Sequence, residues 1–149
     1  MSPALPPAAS RVAPPAWLLY SAIFAGGLLG GTTRYLVGLA LPAEPGEIPW
    51  GILGVNLLGA FVISLLLAGW FRRGHVAHPW RPFLATGLLG SFTTWSTFIA
   101  DTYDLVAAGR DLVALVFVLG ATALGVLAAG AGWLAAQRVV PAVDEGIPA

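Results

Sequence analysis

Four long apolar stretches separated by short polar ones dominate the pattern of this chain, at about residues 17–41, 51–71, 83–100 and 112–136. Each is near the ~20 residues that a helix needs to cross a hydrocarbon core of about 30 Å. Lipid offers backbone N–H and C=O groups no water, so spans of this length are predicted to be helical. Barrel strands would be about half as long and would alternate in polarity, which these do not. The pattern predicts an all-α integral membrane protein with four transmembrane helices.

The connections are rich in breakers and charge. Pro42–Pro49 holds three prolines and two glutamates, Arg72–Pro82 three arginines and both histidines, and Thr102–Asp111 is a short charged loop. Residues 1–16, rich in Pro and Ala with Arg11 as their one charge, read as a flexible tail. Residues 141–149 read as a second tail, which leaves 17–140 as the membrane domain. The first apolar span is too long for a signal-peptide core and contains Arg34, so no leader is expected. No internal repeat is visible.

Composition supports the same class. Of 149 residues, 58% are apolar and 9% charged, against roughly 45–50% and about 25% in ordinary globular domains. Seven bases balance seven acids, so no net field favours nucleic acid. The absence of cysteine excludes a disulfide scaffold, and two histidines alone make a structural zinc site implausible. His75 and His78 read as solvated loop residues, and no catalytic constellation points to an enzyme. Five arginines (11, 72, 73, 81 and 138) fall on the side of the termini and the second loop, against Arg110 alone on the other. The positive-inside rule then places both termini in the cytoplasm.

Candidate chemistry begins with Gly26-Gly27-Leu28-Leu29-Gly30-Gly31, whose small-xxx-small pairs predict close helix packing. Arg34, expensive at membrane depth, is expected to snorkel to the outer interface, to sit against carbonyls or to line an aqueous vestibule. Asn56 offers two N–H donors and an acceptor, either as interhelical glue or as a functional group. Ser64, two turns on, is a candidate to extend its polar stripe. The third span reads Thr86-Gly87-Leu88-Leu89-Gly90-Ser91-Phe92-Thr93-Thr94-Trp95-Ser96-Thr97-Phe98. Five hydroxyl residues in positions 91–97, after two glycines, favour a kink or break. A break at bilayer depth bares carbonyls suited to a small cation. Trp95 and Phe98 share one face, while Thr94, Thr97 and Asp101 share another; an aromatic packing face beside self-satisfied hydroxyls accounts for the same spacing.

At these residues the sequence resembles the small bacterial fluoride channels of the Fluc, or CrcB, family. The resemblance covers roughly residues 20–136 and rests on three segments: Gly26–Arg34 with Tyr35, Pro49-Trp50-Gly51 through Val55-Asn56-Leu57-Leu58-Gly59, and Gly87–Phe98. The last is similar to the family's Gly-x-x-Gly-x-x-Thr-Thr-Phe-Ser-Thr-Phe. The resemblance implies four-helix subunits with a broken third helix, packed as an antiparallel dimer with two fluoride pores and a structural Na⁺ at the interface. By motif position, Gly90 and Thr93 would give Na⁺ their backbone carbonyls. Asn56, Trp95 and Phe98 would line the fluoride pore, and Thr94, Thr97 and Asp101 would form a polar track. Trp95 departs from the pattern, which has Phe there: indole is larger and adds an N–H donor.

The implied function is passive fluoride export across the plasma membrane. An antiparallel homodimer requires a chain that inserts both ways, yet five arginines against one bias this chain to a single orientation. A related partner chain of opposite orientation is therefore expected. Two other readings stand beside this one. A small drug–proton antiporter needs an intramembrane carboxylate, and Asp101 lies near the end of the third span. A non-conducting partner subunit, supporting pores in a sister chain, is the other.

Overall fold

The computed structural model describes residues 14–70 and 79–139. Within them the chain is helical: α1 (Ala16–Ala40), α2 (Trp50–Leu65) continuing as wide π-turns over Leu66–Trp70, a π-helical segment Pro82–Leu89, then α3 (Gly90–Phe92), α4 (Ser96–Ala107) and α5 (Asp111–Val139). Four stretches are long and apolar enough to cross a membrane: Ala16–Ala40, Trp50–Gly69, Pro82–Ala107 and Asp111–Arg138. Even the shortest, at 20 residues, reaches about 30 Å at 1.5 Å per residue. The outside of the bundle carries large apolar side chains such as Phe24, Leu28, Leu112 and Val126, and no polar residue among those described is fully buried. That is the surface of a multi-pass membrane protein.

Sequence chemistry sets the helix ends. The Leu41 N–H closes α1 on the Val37 carbonyl at 2.9 Å just before Pro42, and Pro49 precedes α2. The third span runs to Ala107 rather than ending near residue 100, so the expected loop Thr102–Asp111 shrinks to residues 108–110. Thr102 explains part of the difference: its hydroxyl donates to the Phe98 carbonyl at 2.8 Å, satisfying its polarity within the helix. Leu105, fully buried, anchors the extra turn. Gly109, at φ 73°, then stops the helix. Its N–H reaches the Val106 carbonyl at 2.8 Å and the Arg110 N–H reaches Leu105 at 2.9 Å, the paired bonds of a Schellman cap. Arg110 in turn donates to the carbonyl of Gly46, a buried residue at φ 86°, tying the first and third connections together. His75 and His78, with Arg11, Arg72 and Arg73, lie outside the described residues.

Two helix pairs make the bundle. α1 lies along Pro82–Leu89 and α3, α2 lies along α5, and α4 packs on α5. The first pair is a glycine seam. A methyl on Gly26 would collide with the Phe83 carbonyl oxygen, one on Gly30 with the Leu88 carbonyl oxygen, and one on Gly87 with the Ile23 carbonyl oxygen. Small residues let backbones touch where lipid supplies no hydrophobic drive, so the first pair of the Gly26–Gly31 motif works as expected. Gly27 and Gly31 face Ser91 with more room: an added methyl would lie 3.2 Å from its Oγ and 4.0 Å from its Cβ, respectively. The second pair closes an apolar core of Leu53, Phe98, Leu105, Ala114 and Phe117.

Gly30→Val is expected to lower the thermal unfolding midpoint of detergent-purified protein, because overpacking of this kind costs about 1–3 kcal/mol. Gly38→Ala, with nothing within 4 Å of the added methyl, is expected not to lower the midpoint, since alanine is the better helix former.

Candidate functional site

The site forms where the third span leaves its helical path. Thr93 donates its N–H to the Leu89 carbonyl at 3.0 Å, and its hydroxyl bonds the same oxygen at 3.0 Å. Its backbone then turns extended, with φ −76° and ψ 154°, and α4 begins at Ser96. In a continued helix the Thr94 N–H would reach the Gly90 carbonyl four residues back. It goes instead to the Asn56 Oδ1 at 2.9 Å. The Asn56 Nδ2 donates to the Thr94 carbonyl at 3.0 Å. One carboxamide thus pairs with both sides of one residue's backbone, as a neighbouring peptide would.

The same substitution recurs on either side. The Thr97 N–H, due at the Thr93 carbonyl in a regular helix, donates to the Thr94 Oγ1 at 3.1 Å. The Thr94 hydroxyl itself donates to the Thr97 Oγ1 at 3.0 Å and lies 3.2 Å from the Ser96 Oγ. Thr94 thereby takes up a first-turn N–H of α4, whose N-cap is Trp95. The Ser91 carbonyl, near the negative end of α3, accepts from the Arg34 Nε at 3.0 Å. Arg34 thus contacts one backbone carbonyl, one of the three settings expected of it. By the Ile99 N–H, bonded to Trp95 at 3.0 Å, the regular ladder has resumed.

Beside this stretch lies a cavity of about 450 Å³ whose walls include Asn56, Gly90, Thr93, Thr94, Trp95 and Phe98. These six candidates therefore come together. The Trp95 and Phe98 rings stack at 5.3 Å between centroids, tilted 34°. They differ in setting, since Trp95 is 72% exposed and Phe98 only 4%. Phe98 also packs on Phe117 at 5.1 Å. Thr97 and Asp101 are not among the lining residues. Thr97 reaches the site through Thr94, whereas Asp101 lies a turn further on with its Oδ2 buried and without a hydrogen-bond partner among the described residues. Ser64 is off the wall, which follows α2 through Asn56, Ala60 and Ile63; eight residues at about 100° each carry it roughly 80° around the helix.

Some participants had no signal in the sequence. Phe117, backing the aromatic pair, is one apolar residue among many in its span. Thr122 is a visible hydroxyl on the fourth span and lines the cavity, with its proton on the Val118 carbonyl at 2.7 Å. The role of Ser91 lies in its carbonyl, which every residue has.

Gly90 and Thr93 fit a small cation by donor chemistry. Each has a carbonyl whose helical N–H partner is bonded elsewhere, and both line the cavity. Unwound backbone carbonyls of this kind are the ligands that discontinuous membrane helices offer to Na⁺.

Residues 21–133 match the family described as CrcB-like protein, Camphor Resistance (CrcB). The chain belongs to this family. Similar proteins include the "Fluoride-specific ion channel FluC" of Methylobacterium nodulans, 41% identical over 110 residues that cover 73% of this chain and 88% of that protein. The protein of the same name from Magnetococcus marinus is 38% identical over 115 residues, covering 76% and 94%. That of Rhizobium meliloti is 38% identical over 117 residues, covering 78% and 93%. The matched CrcB segment spans α1 to α5 and contains every site residue described above.

Arg34→Leu is expected to lower the thermal midpoint, since a hydrogen bond to a charged group contributes about 1.5–3 kcal/mol. Arg34→Lys should recover only part of the loss, because an ammonium lacks the planar guanidinium fork.

Proposed function

We propose that this chain is a subunit of a fluoride-specific ion channel that exports fluoride passively across the bacterial plasma membrane, with both termini cytoplasmic. The observation that carries the reading is the setting of Asn56. One Nδ2 proton is held by the Thr94 carbonyl, and the residue lines the cavity with Trp95 and Phe98. An Asn Nδ2 carries two protons, and we assign the second to fluoride. The names of the relatives support the choice of ion.

The chemistry is coherent. Fluoride is small and strongly hydrated, so a selective path must replace its water with concentrated donors. A fixed amide N–H does so directly. Ring edges carry the positive part of the aromatic quadrupole and meet an anion edge-on, a role for Phe98 and Trp95, with the indole N–H as a further donor. Thr94 and Thr97 continue the polar track, and Asp101 is its far member. Several moderate sites let an ion bind and still leave.

The broken third helix and the antiparallel dimer belong to the same proposal. Gly90 is exposed on the single chain, and its carbonyl with that of Thr93 would hold a structural Na⁺ together with the matching pair from a second subunit. A bound cation there supplies positive charge that favours an anion nearby. The five-to-one arginine bias favours a paralogous partner of opposite orientation over a second copy of this chain. The antiporter reading has less support: no acidic side chain among the described residues lines the cavity.

The test is fluoride efflux from liposomes, without a pH gradient, using protein from cells expressing this chain alone or with an oppositely biased family member. Flux is expected from the pair and not from the single chain. Flux from the chain alone would overturn the partner requirement, and no flux from either would overturn the channel reading. With the pair, Asn56→Ala or Phe98→Ala in this chain should reduce flux; unchanged flux would favour a non-conducting supporting role.

A further inference from the structure

The hydrogen bonds around Thr94 tie together two parts of the site that the proposed function treats separately. The backbone N–H groups of Thr94 and Thr97 find partners outside the helical ladder. The Gly90 carbonyl is released because the Thr94 N–H is bonded to the Asn56 Oδ1. The Thr93 carbonyl is released because the Thr97 N–H is bonded to the Thr94 Oγ1. In each case a side-chain oxygen has taken the donor that a regular helix would return to that carbonyl. These two oxygens are the pair assigned above to the cation.

We propose that the Asn56 carboxamide and the Thr94 hydroxyl are positioning residues for the cation site, each keeping one carbonyl, Gly90 and Thr93 respectively, out of the helical ladder. The inference rests on the cation reading of the previous section and adds a coupling to it. Asn56 faces the anion with one amide proton and frees a cation ligand with its oxygen. Removing either acceptor oxygen strands a backbone N–H at membrane depth, where no water can satisfy it. Its nearest remedy is the carbonyl four residues back, and the helix then closes over the ligand.

The experiment measures the thermal unfolding midpoint of the full-length assembly against NaCl concentration, with N-methyl-D-glucamine chloride holding ionic strength constant. The wild-type midpoint is expected to rise and saturate with Na⁺. Asn56→Leu and Thr94→Val should raise the half-effect concentration by roughly 10–100-fold, as loss of groups that orient metal ligands does elsewhere. Thr94→Ser retains an acceptor oxygen for the same N–H and should keep the wild-type Na⁺ response. Asn56→Asp keeps the acceptor for Thr94 but loses the Nδ2 donor to the Thr94 carbonyl, so it should lose fluoride efflux and is not a control for Na⁺. If Asn56→Leu does not fold, Thr94→Val against Thr94→Ser carries the same comparison. A wild-type Na⁺ response in Asn56→Leu and Thr94→Val overturns the coupling and leaves the cation reading standing. A wild type indifferent to Na⁺ overturns both.

Discussion

Two hydrogen bonds between the Asn56 side chain and the backbone of Thr94 let the third span depart from helical geometry in the middle of a membrane protein. Backbone groups in lipid must be satisfied within the protein, and each one left bare costs several kcal/mol. Irregular backbone persists there only when other groups replace the missing partners. Asn56 does so from α2, Arg34 from α1, and Thr94 from the irregular stretch itself. Two separate helices, α1 and α2, thus converge on residues 91–97, and the rest of the bundle holds them at that distance.

Much of this was legible in the sequence, and the reasons differ by residue. The four spans follow from solvation alone: apolar runs near 20 residues have few alternatives to a membrane helix. The crowding of Ser91, Thr93, Thr94, Ser96 and Thr97 marks the stretch in which the Thr93 backbone turns extended, since hydroxyls that bond backbone weaken a helix wherever they cluster. The extent of the third span was not legible. Thr102, Tyr103 and Asp104 look like a loop until the Thr102 hydroxyl is seen to turn back on Phe98 and Leu105 to fill the core. The π-turns at Leu66–Trp70 and Pro82–Leu89 left no mark in composition or period. Nor did the partner of Asn56: an amide is equally able to bind an ion, a side chain or a peptide, and only the fold brings the Thr94 backbone within reach.

The aromatic pair shows how one helix face divides its labour. Three residues apart, Trp95 and Phe98 stack on each other, yet Phe98 is bedded against Phe117 while Trp95 projects outward. The buried ring therefore cannot turn without disturbing the core, and it gives the outer ring a fixed support. In the proposed dimer that outer ring, with the exposed Gly90 carbonyl, is offered to a second subunit. In that proposed dimer the cavity beside them would take its other wall from the partner.

The glycine seam along α1 bears on how such a pathway operates. Helices that slide or pivot usually do so by letting side chains exchange rotamers at their contact. Between Gly26, Gly30 and the Gly87–Leu88 backbone there are no rotamers to exchange. α1 and the stretch before Gly90 behave as a single plate, which fixes the position of the Arg34 guanidinium relative to Ser91. A conduit built against such a plate has no swinging door on that flank. In the proposed channel, throughput would then be set by how readily an ion trades water for fixed donors, and its pace would follow the ion's dehydration rather than the breathing of the walls.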